Sequence, residues 1–156
     1  MVIGGYERQN SVYNGLAELS SSCNVVLIHD GARPFVSANV IQRCIEGAEK
    51  YGAVTTAVPV KDTIKVVNTA NIIDHTPDRK DLWITQTPQA FKADIIMKAH
   101  VFANKNNFIG TDDAMLVEKL GMQVRIIEGE YENIKITTPE DLIIAEAIMN
   151  YRRKAF

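Results

Sequence analysis

A run of apolar residues that stops abruptly in a charged glycine loop, Asn24-Val25-Val26-Leu27-Ile28-His29-Asp30-Gly31-Ala32-Arg33-Pro34, constrains this chain more than any other stretch. It reads as a strand buried on both faces, which belongs inside a sheet covered by helices. An open α/β sheet takes its ligand beyond the carboxyl ends of its strands, so Asp30 and Arg33 project into a crevice. Gly31 and Ala32 keep the loop thin enough for a ligand to approach the backbone. A carboxylate three positions from a guanidinium suits a metal-bound or phosphorylated ligand, Asp30 taking the cation or sugar hydroxyls and Arg33 the phosphate oxygens. The same two side chains serve equally well as an ion pair closing a surface turn.

The flanking pattern extends the α/β reading. Asn10 or Ser11 caps a helix in which Val12, Leu16 and Leu19 recur at helical spacing, and Ser20 to Ser22 end it. Ser37 caps a second helix with Val40, Ile41, Cys44, Ile45 and Ala48 on one face, stopped by Gly52. Ala53 to Val58 is a β-branched strand, so strand, helix and strand imply a parallel crossover. Residues 59–83 break the rhythm. Pro59 to Val67 alternates loosely, turns through Asn68 to Asn71 and returns through Ile72-Ile73, a hairpin arm leaving the main sheet. Pro88 forbids a helix through the polar segment Thr85 to Phe91. A third helix follows over Ile95 to Phe102. Thr111 caps a fourth, with Asp112 and Asp113 at the positive end of its dipole. Val124 to Ile127 and Asn133 to Thr137 read as strands, and Thr138-Pro139 opens the last helix.

Composition narrows the function classes. With 156 residues the chain fits one domain, 1–156, and a net charge of −2 without a block of one sign indicates no nucleic-acid groove. Arg152-Arg153-Lys154 suits a helix C-terminus. No apolar run approaches the ~20 residues of a membrane span, and Met1 to Gly5 lacks a signal core, so the expected compartment is the cytoplasm. Cys23 and Cys44 stand apart without C-x-x-C spacing and read as reduced thiols. His29, His75 and His100 show no metal spacing.

The segments GGYERQNSV, VLIHDGARPFV, AVPVKDTIK, DRKDLWITQTPQAF, TDDAMLVEKLGMQV and ENIKITTPEDL together resemble the 2-C-methyl-D-erythritol 4-phosphate cytidylyltransferases, in family order and over nearly the whole chain. The ribitol 5-phosphate cytidylyltransferases share the His-Asp, TPQ and NIKITTP segments, whereas VPVKDTIK and DRKDLW look like the erythritol enzyme. The resemblance implies a Rossmann-like α/β nucleotidyltransferase sheet, of the nucleotide-diphospho-sugar transferase kind, with a protruding β-hairpin arm. It implies transfer of a cytidylyl group from CTP to 2-C-methyl-D-erythritol 4-phosphate with release of pyrophosphate and with Mg²⁺ as cofactor. Catalysis of this kind is positioning plus neutralisation of spreading negative charge.

Position by position, the resemblance assigns catalytic roles to Asp30, Arg33 and Lys135, with Asp30 also the metal ligand. Gly5, Ser11, Asp30 and Gly31 fall on the nucleotide side; Gly31 stands where many members have alanine, and Tyr6 where an acid is common. Thr63, Arg79, Thr87, Thr111 and Lys135 fall on the sugar-phosphate side. Lys135 stands out independently, since a branched or neutral residue is expected inside a β pattern. The implied assembly is a homodimer whose arms cross, so that Thr63 and Arg79 serve the neighbour's site. Family members open with a strand and a basic glycine-rich loop around the triphosphate. No G-x-G-x-x-G occurs in these residues, so the expectation is a fold lacking its N-terminal strands, with weak turnover alone. The competing readings are the ribitol phosphate enzyme and a non-catalytic sugar-phosphate binding or dimerisation module.

Overall fold

The segment that the sequence presents only as polar and proline-broken is the strand on which the sheet is built. The computed structural model describes residues 1–154. In it β5, Trp83–Lys92, pairs antiparallel with β1, Val25–Ile28, on one side and with β2, Ala53–Pro59, on the other. Beyond β2, a short parallel strand β6, Arg125–Glu128, completes the order β1-β5-β2-β6. Pro88 has no N–H to give a ladder, and it lies where the register with β2 shifts between Thr55 and Ala57. Its carbonyl accepts instead from the Thr56 hydroxyl at 2.6 Å.

The crossover is present but wider than expected. β1 and β2 both run antiparallel to β5 and so parallel to each other, with β5 inserted between them. β1 is therefore an edge strand among the described residues, and its four residues are half-buried rather than enclosed on both faces. The helix between them, α2, spans Ala38–Tyr51; the Ser37 hydroxyl accepts from the Val40 N–H and Gly52, at φ 88°, closes it. A Cβ on Gly47 would come within 3.0 Å of Val54 and Ile127, so α2 lies tightly on β2 and β6.

Alternation along the strands divides the core into two layers. Val54 and Ala90 face α2, where they pack with Val40, Cys44 and Ala48. Ala53 and Phe91 face the other way, onto Leu16 of α1 (Arg8–Ala17), Ile96, Ala99 and Ala103 of α3 (Ala93–Lys105), and Leu116 and Val117 of α4 (Asp113–Lys119). Helices thus cover both faces of the sheet. The final helix, α5, spans Pro139–Lys154, with proline at its first position as expected. None of these helices is long and apolar enough to cross a membrane.

Three local expectations are corrected. α1 starts at Arg8 because Glu7 takes the N-cap position, its N–H donating to Asn10 Oδ1 at 3.1 Å. α4 is capped by Asp112, which accepts from Met115 N at 2.8 Å, while the Thr111 hydroxyl turns to Met115 Sδ. Residues 133–137 join no sheet. Instead the Asn133 side chain donates to the Thr87 carbonyl at 2.8 Å, and Ile136 N donates to the Ala32 carbonyl at 2.8 Å. The arm forms its own two-stranded sheet, β3 (Val66–Val67) against β4 (Ile73–His75), turned by Asn68, whose side chain accepts from Ala70 N and Ile72 N.

Candidate functional site

Where β1 ends, the backbone turns sharply, Arg33 N donating to the Asp30 carbonyl at 2.9 Å. The Asp30 N–H donates to Thr87 Oγ1 on β5 at 3.0 Å, and the same hydroxyl shares a hydrogen bond with His29 Nδ1. The polar segment of β5 therefore fixes the loop through Thr87. Asn133 reaches the same segment, donating to the Thr87 carbonyl and to Gln86 Oε1. Its own carbonyl accepts from Arg33 Nη1 at 2.8 Å. One fully buried asparagine thus docks the 133–137 segment on β5 and brings Lys135 to Asp30.

Asp30 is the hub. Its Oδ2 lies 2.9 Å from Lys135 Nζ and 3.9 Å from Arg33 Nε, and its Oδ1 lies 3.3 Å from Arg8 Nε. Partial burial pushes this carboxyl up, but the hydrogen bond and charge of Lys135, followed by Arg8, outweigh that and hold it below the ordinary aspartate value. Burial draws the Arg33 guanidinium down against the opposing charge of Asp30, and it remains a cation. These side chains border a cavity of about 320 Å³ that Thr85, Gln86, Thr87, Gln89, Thr111 and Asp112 complete. Three cations against Asp30 and Asp112 leave its wall net positive, which favours an anionic ligand.

Of the residues singled out from the sequence, Asp30, Arg33, Thr87, Thr111 and Lys135 share this cavity. Gly5 and Ser11 lie together at the start of α1, the Gly5 N–H donating to Ser11 Oγ at 2.9 Å, and do not line it. Gly31 is exposed, with open space where a Cβ would stand, and does not line the cavity. Thr63 and Arg79 belong to the arm, where Arg79 Nη1 donates to the Lys61 carbonyl at 2.7 Å. Among the described residues no group of three or more His, Cys, Asp or Glu side chains gathers around a metal position.

Sequence reasoning passed over Arg8 and Gln89, and read Asp113 only as an acid at a helix start. The Gln89 side chain donates to Thr55 Oγ1 and Asp112 Oδ2, both at 2.8 Å, and its Oε1 accepts from Asp113 N and Ala114 N. It thereby ties the start of α4 to β5. The available signals were an unexplained Gln after Thr-Pro and a doubled Asp, but their partners lie 23 or more residues away.

A family model described as IspD, 2-C-methyl-D-erythritol 4-phosphate cytidylyltransferase, matches residues 1–151. Among curated relatives with that enzyme name, the Caldanaerobacter subterraneus subsp. tengcongensis protein is 52% identical over 149 residues, 96% of this chain and 66% of its own length. The Geobacillus thermodenitrificans protein is 56% identical over 149 residues, covering 96% and 64%. The crystal structure of 4-diphosphocytidyl-2C-methyl-D-erythritol synthase from Anaerococcus prevotii superposes with a TM-score of 0.88 at 38% identity, over 94% of this chain and 68% of that one. For 2-C-methyl-D-erythritol 4-phosphate cytidylyltransferase from Thermus thermophilus the values are 0.85 and 39%, over 93% and 70%. The chain spans just under two thirds of the first of these curated relatives, 66% of its length. With a family model matching residues 1–151, curated relatives more than half identical over nearly the whole chain and a close structural superposition, the chain belongs to the 2-C-methyl-D-erythritol 4-phosphate cytidylyltransferase family.

Proposed function

We propose that this chain acts in cytidylyl transfer to 2-C-methyl-D-erythritol 4-phosphate. An oxygen of the sugar phosphate attacks the α-phosphorus of CTP, the new P–O bond forms as the α–β bond breaks, and pyrophosphate carries away the electron pair. The observation that carries this reading is the convergence of Lys135, Arg33 and Arg8 on Asp30 at the mouth of one polar cavity. A phosphoryl-type transition state asks a protein for fixed positive charge and orientation more than for covalent chemistry, and the cavity wall offers both.

Within this reading Lys135 and Arg33 face the reacting phosphates. The Thr87 and Thr111 hydroxyls serve the sugar phosphate from the cavity wall. Gly5 and Ser11 hold the cytosine side; a Cβ on Gly5 would fall 2.3 Å from Asn10 Cβ, so the backbone there passes as close as only glycine allows. Gly31 contributes its small size beside the nucleotide. Thr63 and Arg79 reach the site of a second copy through the arm, which supports a homodimer: Val67, Ile72 and Ile73 on the arm are at least half exposed, and a two-stranded sheet this small is marginal without a partner.

Magnesium in nucleotide sites takes one or two protein carboxylates and fills its shell with phosphate and water. Asp30 fits as the single carboxylate for an ion that arrives with the triphosphate, and the residues do not fit an all-protein cage. When bound, the ion supplies charge neutralisation at the phosphates. Two unpaired cysteines are compatible with a cytoplasmic location. The reading also holds that these 156 residues turn over slowly on their own, because none of their segments is a basic glycine-rich loop for the triphosphate.

The test is calorimetry of this chain with MgCTP and with 2-C-methyl-D-erythritol 4-phosphate, alongside pyrophosphate release from the two together. Saturable binding of both ligands supports the reading. Binding of the sugar phosphate without any of MgCTP would favour a non-catalytic module, and preference for ribitol 5-phosphate would move the substrate.

A further inference from the structure

Arg8 stands on the wall of the cavity, yet half of its guanidinium faces the core. Its Nη1 donates to Asp113 Oδ2 at 2.7 Å and its Nε donates to Asp30 Oδ1 at 3.3 Å, so one planar group spans two carboxylates along different N–H directions. The two ends differ in freedom. Asp113 is 1% exposed; its second oxygen lies 3.1 Å from His100 Nε2, and its backbone N–H is held by Gln89 Oε1. His100 is completely buried on α3. The Asp113 end is therefore fixed from three elements, while Asp30 sits on a loop at the cavity mouth.

We infer that Arg8 is a positioning residue for Asp30: anchored by Asp113, it fixes one carboxylate oxygen and thereby presents the other to Lys135. This rests on the cytidylyltransferase reading of the same cavity. Asp30 Oδ2 is the oxygen that meets Lys135 at 2.9 Å and faces Arg33, the two cations assigned to the reacting phosphates. Without a partner on Oδ1 the carboxylate is held through Oδ2 alone, and the counter-charge facing Lys135 is less firmly fixed. A line of contacts then runs from His100 through Asp113, Arg8 and Asp30 to Lys135, linking α3 and α4 to the loop after β1 and to the 133–137 segment.

Arg8 could instead serve only as a tether of α1 to α4, and Arg8→Lys separates the two roles. A lysine reaches Asp113 and keeps the buried carboxylate paired, but a single ammonium does not reproduce the two-directional fork. Three measurements on this chain decide the matter: the melting temperature, the Kd for MgCTP by calorimetry, and the Asp30 side-chain rotamer in a crystal structure of the variant. The expected result is a nearly unchanged melting temperature, a Kd weakened about tenfold as for one lost charge-assisted hydrogen bond, and Asp30 in more than one rotamer. A single unaltered Asp30 rotamer overturns the inference. If the wild-type chain fails to bind MgCTP the functional reading falls, and the rotamer alone judges the role of Arg8. Should Arg8→Lys not fold, hydrogen exchange at Arg8 Nε in wild type and in Asp30→Asn replaces it: slow exchange that quickens in the variant supports the inference, and identical exchange refutes it.

Discussion

A carboxylate with a cation on each oxygen is a pH-dependent strut. Partial burial pushes Asp30 up, yet Lys135 and then Arg8 outweigh it and hold the carboxyl below its ordinary value of 3.8 in the folded chain. A depressed folded-state pKa means that the ionised form favours folding. The contribution is complete above the unfolded value, near 4, and is lost as the pH falls through the lower folded value. Asp30→Asn should therefore melt below wild type at neutral pH and approach it in acid, which thermal melts at about pH 7 and about pH 3 will show; an equal gap at both would contradict the assignment. Lys135 is 43% exposed, so its ion pair with Asp30 is partly screened by solvent and its ammonium is open to the cavity. In the proposed function, Lys135→Ala is expected to weaken 2-C-methyl-D-erythritol 4-phosphate binding about tenfold to a hundredfold, and to lower the melting temperature at neutral pH no more than Asp30→Asn does. Both residues were legible in the sequence, one as a charge just past an apolar run and the other as a charge inside a β pattern. Arg8 was not, because its value depends on Asp30 and Asp113, which lie 22 and 105 residues away.

Among the elements, β5 carries the site, and α2 is joined at its start to Glu130. β5 supplies Gln86, Thr87 and Gln89 to three different neighbours, and its polar side chains belong to connections rather than to a solvent face. That use of polar groups is why it did not read as a strand: pattern recognition expects buried strand positions to be apolar, and Gln89 is fully buried. Gln89→Ala leaves the N–H groups of Asp113 and Ala114 without an acceptor at the buried start of α4. A loss of about 2–3 kcal/mol in urea denaturation is expected; a loss below about 0.5 would show that another acceptor replaces it. The N-cap of α2 is Ser37, whose hydroxyl both accepts from Val40 N and donates to Glu130 Oε1 at 2.7 Å. Ser37→Ala should cost about 1 kcal/mol by the same measurement, since it removes the cap and this link together.

For the whole molecule, the arm is the part with the least support of its own. Its two short strands meet only each other in the two-stranded sheet, and its apolar side chains stand in solvent. In the proposed assembly those side chains are covered by a second copy. Val67→Lys combined with Ile72→Lys is expected to shift the chain from dimer to monomer in sedimentation equilibrium, with the melting temperature of the monomeric body retained. A wild-type chain that is monomeric at all concentrations would remove the basis for assigning Thr63 and Arg79 to a neighbour.

What the sequence determined by itself is local and chemical. Alternation, helical spacing, Ser37, Gly52 and Pro139 settled most helices, and an apolar run ending in His-Asp-Gly marked the loop where the cavity lies. Each of these signals is carried by residues within a turn or two of one another. Tertiary structure alone decided which strand stands at the centre, that 133–137 docks through Asn133 without joining a ladder, and that Arg8 spans a core aspartate and a loop aspartate. Those outcomes depend on hydrogen bonds and charges that meet only after distant segments pack, and such partners leave no periodic trace in the chain.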